Sequence, residues 1–285
     1  GWPPAKTVKG TCDAEAAPLM KFKDLREFIA FLEDRGELRR ISTTVSRDLE
    51  ITELADRMVK SGGPALLFEN VEGSVVPVVI GLFGTHQRVA WALGVDNVET
   101  ITDRVRKLLG IAQGPPPGLM GKLRTAGDLI GLARSQPKIV GDGPCQEIVL
   151  EGEDVDLDLL PSLKCWPEDG GRFITLPLVI SRDPDTGTRN VGIYRMQVYD
   201  RRTTGMHWQT HKVGAHHLRA GESGGLERLE VAVAIGGDPA TMWSGSMPLP
   251  PGIDELAVAG VIREDAVELV RCKTVDLEVP AQAEF

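Results

Sequence analysis

Chemistry in this chain concentrates between Asn190 and His217. That stretch carries Asn190, Tyr194, Arg195, His207, Trp208, His211, Lys212, His216 and His217, and four of the five histidines fall within eleven positions of it. An amide, imidazoles and a carboxylate together make a hard-to-borderline metal site. Zinc is less favoured, because no thiolate lies close by. Arg195 follows Asn190 by five residues, and odd offsets along a strand point to opposite faces, so the two serve different sides unless a bulge intervenes. Read alone, such histidines also fit ordinary hydrogen-bonding roles on a hairpin. Arg195 equally fits a surface ion pair, and Glu255 a first-turn acid favouring its helix dipole.

The elements that must hold these groups follow from periodicity. Leu25, Phe28, Ile29 and Leu32 make an amphipathic helix over 20–38 that stops at Gly36. A second helix runs over 49–60, with Ile51, Leu54, Ala55 and Met58 as its apolar stripe and Gly62-Gly63-Pro64 as its end. Ala65–Phe68 and Val76–Gly81 read as short buried strands, and helical patterns follow at 86–93 and 97–110. Gly114–Gly118, with three consecutive prolines, is the clearest linker, and a helix over 119–133 follows it. Beyond it the pattern turns to strands: Glu147–Leu150, Phe173–Arg182, Asn190–Asp200, Met206–Thr210, Glu230–Gly236 and Val267–Val275. Asp183–Gly187 and Arg201–Gly205 read as hairpin turns, and helices at 213–220 and 252–262 interrupt the strands. Strands with few helices suggest a β-barrel or sandwich.

Composition narrows the class. The 285 residues suit two domains, and the 42% hydrophobic and 26% charged content is ordinary for a globular protein. A net charge of -9 without a basic run argues against a nucleic-acid partner. Cys12, Cys145, Cys165 and Cys272 form no CxxC pair, which points to reduced thiols and a cytoplasmic setting. No stretch approaches the roughly 18 apolar residues of a membrane span. Residues 1–19 lack a signal-peptide core and are expected to be a tag or disordered leader.

Several blocks carry a resemblance. They are Gly63–Asn70, Asp154-Val155-Asp156-Leu157 with Cys165-Trp166-Pro167-Glu168-Asp169, Asn190–Arg195, Gly237–Thr241 and Leu277–Ala281. In this order, from about Met20 onward, they resemble the UbiD-type decarboxylase family, with the branch acting on 4-hydroxy-3-polyprenylbenzoate in ubiquinone synthesis the most similar. The resemblance implies an N-terminal α/β domain over 20–113, a linker and helix over 114–136, and a split β-barrel flavin domain over 137–285, incomplete at its C-terminus. It implies loss of CO2 from an aromatic or α,β-unsaturated carboxylic acid through a covalent adduct with prenylated FMN. Asn190, His211 and Glu255 would hold Mn2+, with K+ as a further candidate ion. Ile193, Tyr194, Arg195, His207, Trp208, Gln209, Lys212 and Val213 would contact the flavin, and Arg195 would grip the substrate carboxylate.

Two departures from the family pattern stand out. His207-Trp208-Gln209 and Lys212-Val213 replace the commoner Arg-Trp-Leu and Arg-Gly. The family's proton-donating acids belong to a downstream Pro-Glu-Gly-Pro motif that does not occur before Phe285, and Glu278 and Glu284 match other positions. The implied partners are a small carboxylic acid, a flavin prenyltransferase that supplies the cofactor, and further copies of the full-length chain. A polyprenylated substrate would add peripheral membrane association. The rival readings are a non-catalytic flavin-binding subunit that needs a second chain, a split-barrel flavin reductase, and a fragment that aggregates through exposed strand edges.

Overall fold

The computed structural model describes residues 21–102, 133–250 and 252–285. The expected leader, the Gly114–Gly118 linker and most of the helices expected at 97–110 and 119–133 lie outside the described residues. Residues 98–102 and 133–134 are helical.

The N-terminal unit is a small sheet packed against helices. Helix α1 (Leu25–Asp34) begins where the Asp24 side chain accepts from the Glu27 amide, and it ends before Gly36 at φ +70°. Its stripe buries Phe28 and Leu32 completely. Strand β1 (Leu38–Ile41) pairs in parallel with β2 (Ala65–Phe68), and β2 pairs antiparallel with β3 (Val78–Ile80). Helix α2 (Glu50–Lys60) supplies the crossover between β1 and β2. Helix α3 (His86–Ala92) is capped by Thr85 and brings in Arg88, which is fully buried. The Arg88 guanidinium donates to Glu37 at 2.7 Å, to the Gly63 carbonyl at 2.9 Å and to the Gly81 carbonyl at 3.2 Å. One side chain thereby satisfies the ends of three separate segments.

The second unit opens with β4 (Lys138–Ile139) and three short 3-10 turns at Pro144–Gln146, Gly152–Asp154 and Leu157–Leu159. The strand expected at Glu147–Leu150 is absent. Ile148 is 79% exposed and the stretch pairs with no strand among the described residues, so β-propensity had no ladder to join. The strand expected over 173–182 splits into β5 (Arg172–Ile174) and β6 (Leu178–Arg182). Pro177, which has no amide to give a ladder, sits in the break. The Asp183–Gly187 turn forms as read, with Gly187 at φ +71°, and leads into β7 (Arg189–Ile193). The strand expected over 190–200 also splits, because Tyr194 and Arg195 leave the ladder before β8 (Met196–Val198). Then come β9 (Thr204–Met206), α4 (Val213–Ser223), β10 (Val231–Ala234), α5 (Pro239–Ser244), α6 (Glu255–Arg263), β11 (Glu268–Arg271) and β12 (Glu278–Pro280).

These strands form no closed barrel among the described residues. They lie in separate three-stranded sheets ordered β10-β6-β7, β5-β8-β9 and β12-β11-β4. The largest core joins Leu178, Ile180, Val191, Leu256, Ala259 and Leu269, so that α6 packs against both the first and the last of these sheets. No described helix is long and apolar enough to cross a membrane.

Replacing Arg88 with Met keeps the stem volume but strands Glu37 and two carbonyls. We expect a loss of about 3 kcal/mol, read as a lower urea midpoint. An unchanged midpoint would show that these bonds do not hold the unit together.

Candidate functional site

The site is built where β7 leaves its sheet. Along β7, Asn190 and Gly192 alternate with Val191, and Val191 enters the core. Asn190 is 5% exposed, and its amide donates to the Tyr194 hydroxyl at 3.4 Å. That hydroxyl also accepts from the Gly214 amide, at 3.3 Å, in the first turn of α4. The Tyr194 ring meets Trp208 edge-on, with centroids 6.0 Å apart. Both rings lie over glycines. A Cβ on Gly192 would sit 2.5 Å from Tyr194, and one on Gly214 would sit 2.7 Å from Trp208. Only glycine admits the aromatic rings this close to the backbone.

Glu255 comes from the first turn of α6. Its carboxylate accepts from the Val191 amide at 2.9 Å, which ties α6 to β7 beside Asn190. It is 9% exposed. Burial pushes its carboxyl up to about 7, against the Val191 amide, which favours the charged form. Next to it, Asp254 caps α6 and accepts from Arg189 at 2.6 Å, and Arg189 also reaches Glu278 at 3.3 Å.

Arg195 leaves β7 in the other direction. Its guanidinium donates to Asp169 at 2.7 Å and lies 3.7 Å from the centre of the Phe173 ring. Asp169 also accepts from the Cys165 and Trp166 amides at 3.2 and 3.1 Å. Burial would raise the Asp169 carboxyl, but the guanidinium and the two amides outweigh it and hold the carboxyl below the ordinary range. Asp169 is the site residue that sequence reasoning missed. In the sequence it stands only as the last residue of the Cys165–Asp169 block, and its pairing with Arg195 spans 26 residues with no periodicity to betray it.

His207, Gln209, His211, Lys212 and Val213 are exposed, and Trp208 and Ile193 are half-buried. The His207 amide donates to the Arg195 carbonyl at 3.0 Å, and the Ile193 amide to the Gly245 carbonyl at 3.2 Å. Lys212 is the N-cap of α4 and its own side chain does not cap the helix, whose second amide, that of Gly214, is taken by the Tyr194 hydroxyl. Further along α4, His217 is 3% exposed and its Nδ1 lies 3.0 Å from the Ser181 hydroxyl. This Ser–His pair has Asp183 beyond it at 3.9 Å, but Ser181 is 1% exposed and presents no nucleophile to solvent. The pair anchors α4 to β6.

A flavin phosphate fits the donor set. The start of α4, where the Lys212 side chain makes no cap, and the Lys212 ammonium offer amides and a charge to an anion, and the indole Nε1 of Trp208 is buried without a partner among the described residues. A cation fits less completely. Glu255 takes the amide of Val191, the residue next to Asn190 in β7, whereas His211 is exposed. Among the described residues no three His, Cys, Asp or Glu side chains gather as a metal cage. A cation would therefore need the mixed amide, carboxylate and imidazole set.

Comparison with known proteins places these features in a family. The model of the 3-octaprenyl-4-hydroxybenzoate carboxy-lyase N-terminal domain matches residues 29–108, and that of the corresponding Rift-related domain matches residues 138–285. An uncharacterized protein of Archaeoglobus fulgidus is 50% identical over 266 residues, covering 93% of this chain and 54% of that protein. The UbiD-class enzyme HmfF from Pelotomaculum thermopropionicum, solved in complex with FMN, is 34% identical with a TM-score of 0.76, over 91% of this chain and 53% of that one. The vanillic acid decarboxylase of Sedimentibacter hydroxybenzoicus in closed form is 26% identical with a TM-score of 0.75, over 92% of this chain and 53% of that one. The chain thus spans about half the length of the relatives it matches.

Two buried groups give opposite pH dependences. The Glu255 carboxyl has a folded pKa above its unfolded value, so its contribution is complete below about 4.5 and is lost as pH rises through about 7. Burial lowers the His217 pKa, with Asp183 opposing in part. Its contribution is therefore present above about 6.5 and is lost as pH falls through the lowered folded value. In metal-free buffer, Glu255→Gln should make stability rise more steeply between about pH 5 and 7, by about 2 kcal/mol. His217→Gln should tilt the profile the other way. Urea unfolding across this range checks both signs, and a profile unchanged by either substitution would contradict the burial argument.

Proposed function

Because the chain belongs to the UbiD family of 3-octaprenyl-4-hydroxybenzoate carboxy-lyase proteins, we propose that it supplies the cofactor-holding half of a non-oxidative decarboxylase acting on an aromatic or α,β-unsaturated carboxylic acid. The observation that carries this reading is the arrangement around β7. The buried Asn190 amide, the buried Glu255 carboxylate and the start of α4 are joined through β7 and Tyr194, while the partly exposed Arg195 pairs with Asp169.

Asn190 and Glu255, with His211, would hold Mn2+, and K+ is the second candidate ion. The negative carboxylate and neutral oxygens suit such a hard cation, and the cation would remove the desolvation penalty now carried by Glu255. Lys212 and the first amides of α4 would take the flavin phosphate. Tyr194 and Trp208 would bound the ring system, with Ile193, His207, Gln209 and Val213 at its margins. The strands would then form part of the family's split flavin-binding barrel.

When bound, prenylated FMN supplies the electron sink for decarboxylation. The chain's own part is to orient the acid. Arg195 offers donors to the substrate carboxylate by charge-assisted hydrogen bonds, on the aromatic platform of Phe173. No residue of the chain is assigned as the proton donor. A 4-hydroxy-3-polyprenylbenzoate is one acid of the required kind, and a long apolar tail would draw the enzyme to a membrane surface. A flavin prenyltransferase would supply the cofactor, and self-association is proposed for the full-length protein.

The test is CO2 release from a panel of hydroxybenzoates and acrylates. It uses a chain extended to the length of its relatives and co-produced with a flavin prenyltransferase. Arg195→Ala should cut turnover by roughly a hundredfold with flavin retained. Undiminished turnover would remove Arg195 from the mechanism. Retained flavin with no CO2 release in the unsubstituted enzyme would favour a non-catalytic flavin-holding role.

A further inference from the structure

Arg195 has a flexible side chain that is 37% exposed, yet it is held in one place. A long side chain loses substantial rotamer freedom when fixed, so something must offset that cost. Two contacts do so. The Phe173 ring supports one face of the guanidinium at 3.7 Å, and Asp169 takes its Nη2 at 2.7 Å. Among the described residues the guanidinium makes no other hydrogen bond, which leaves its remaining donors for a ligand.

Asp169 is itself well fixed. Two backbone amides donate to the oxygen that receives Arg195, and the Asp169 amide returns a bond to the Trp166 carbonyl at 3.1 Å. The loop carrying it is clamped at its base, where Leu163 and Phe173 exchange amide–carbonyl bonds of 3.1 and 2.8 Å. The same base is tied to the N-terminal unit. Lys164 donates to the Arg47 carbonyl at 3.1 Å and accepts from Leu49 at 2.9 Å, and Arg172 grips Asp48 through two bonds of 2.8 and 3.1 Å. The carboxylate beside Arg195 is therefore held by a rigid turn that the N-terminal unit braces.

We propose that Asp169 is the positioning residue for Arg195, holding one edge of its guanidinium over Phe173 so that the free edge is aimed at the carboxylate of an incoming acid. This assignment rests on the functional reading above for its purpose. Its geometry stands independently of flavin, metal and substrate. The N-terminal unit thereby acts on the site through the Asp48–Arg172 pair and the 163–173 loop. No residue of that unit hydrogen-bonds or ion-pairs with Arg195 among the described residues.

The substitution that separates roles is Asp169→Asn. The amide keeps an oxygen to accept from the Cys165 and Trp166 amides, so the turn persists while the charge that attracts the guanidinium is gone. The readout is the side-chain resonance of Arg195 in chain labelled with 13C-arginine. Protons stacked on a ring face shift upfield, and Phe173→Leu identifies the signal by abolishing that shift. In Asp169→Asn the Arg195 signal should lose at least half of its upfield displacement, with the melting temperature nearly unchanged. Asp169→Glu should restore part of it. An Arg195 signal that stays in place in Asp169→Asn would overturn the proposal, as would loss of the signal's displacement only in variants that have unfolded. Because no cofactor or acid is present in this experiment, failure of the decarboxylase reading would not imitate either result.

Discussion

The site depends on the change of sheet at Tyr194–Arg195. Up to Ile193 the chain is an outer strand of the β10-β6-β7 sheet, and from Met196 it is the central strand of the β5-β8-β9 sheet. Two residues outside any ladder accomplish the transfer. Strand alternation alone would send Asn190 and Arg195 to opposite faces, and the sheet change turns that opposition to use. Asn190 and Tyr194 stay together on the side of α4, and Arg195 emerges against the loop that carries Asp169. One continuous segment thus carries both the side proposed to hold the ions and the side proposed to grip the carboxylate.

Buried charge keeps the first of these sides in register. Glu255 and Asp254 are adjacent acids at the start of α6. Glu255 meets the Val191 amide, and Asp254 meets Arg189. Arg189 and Arg182 both reach Glu278 on β12, so the β6–β7 hairpin, α6 and the last strand share one polar network. Removing a partner from such a network exposes an uncompensated charge, which costs more than the intact network contributes. A second pair, Asp238–Arg263 at 2.6 Å, ties the start of α5 to the end of α6 in the same manner. Burial raises the Asp238 carboxyl and Arg263 opposes that rise.

Much of this was legible in the sequence, for reasons that differ by element. The Asp183–Gly187 turn was readable because Asp, Pro and Gly each satisfy a local backbone requirement there. α1 and α2 were readable from apolar spacing, although the pattern overran α1 at both ends, where Asp24 and Gly36 set the limits. The 147–150 stretch misled because Ile, Val and Leu signal a strand only when another strand is present to pair with. Arg88 was not singled out, since an arginine on a helix reads as solvent-facing and its partners lie at Glu37, Gly63 and Gly81. The candidate ligands at Asn190 and Glu255 came from family resemblance. The bond from the Val191 amide to the Glu255 carboxylate, which brings them together, is a tertiary fact that no spacing encodes.

The central claim is that this chain alone assembles a flavin site around β7. The most direct measurement is native mass spectrometry of the 285-residue chain, co-produced with a flavin prenyltransferase and supplied with manganese. The account predicts an adduct with the mass of one prenylated flavin, lost when Lys212 and Glu255 are both replaced by alanine. A clean apo mass from folded, monodisperse chain would contradict it.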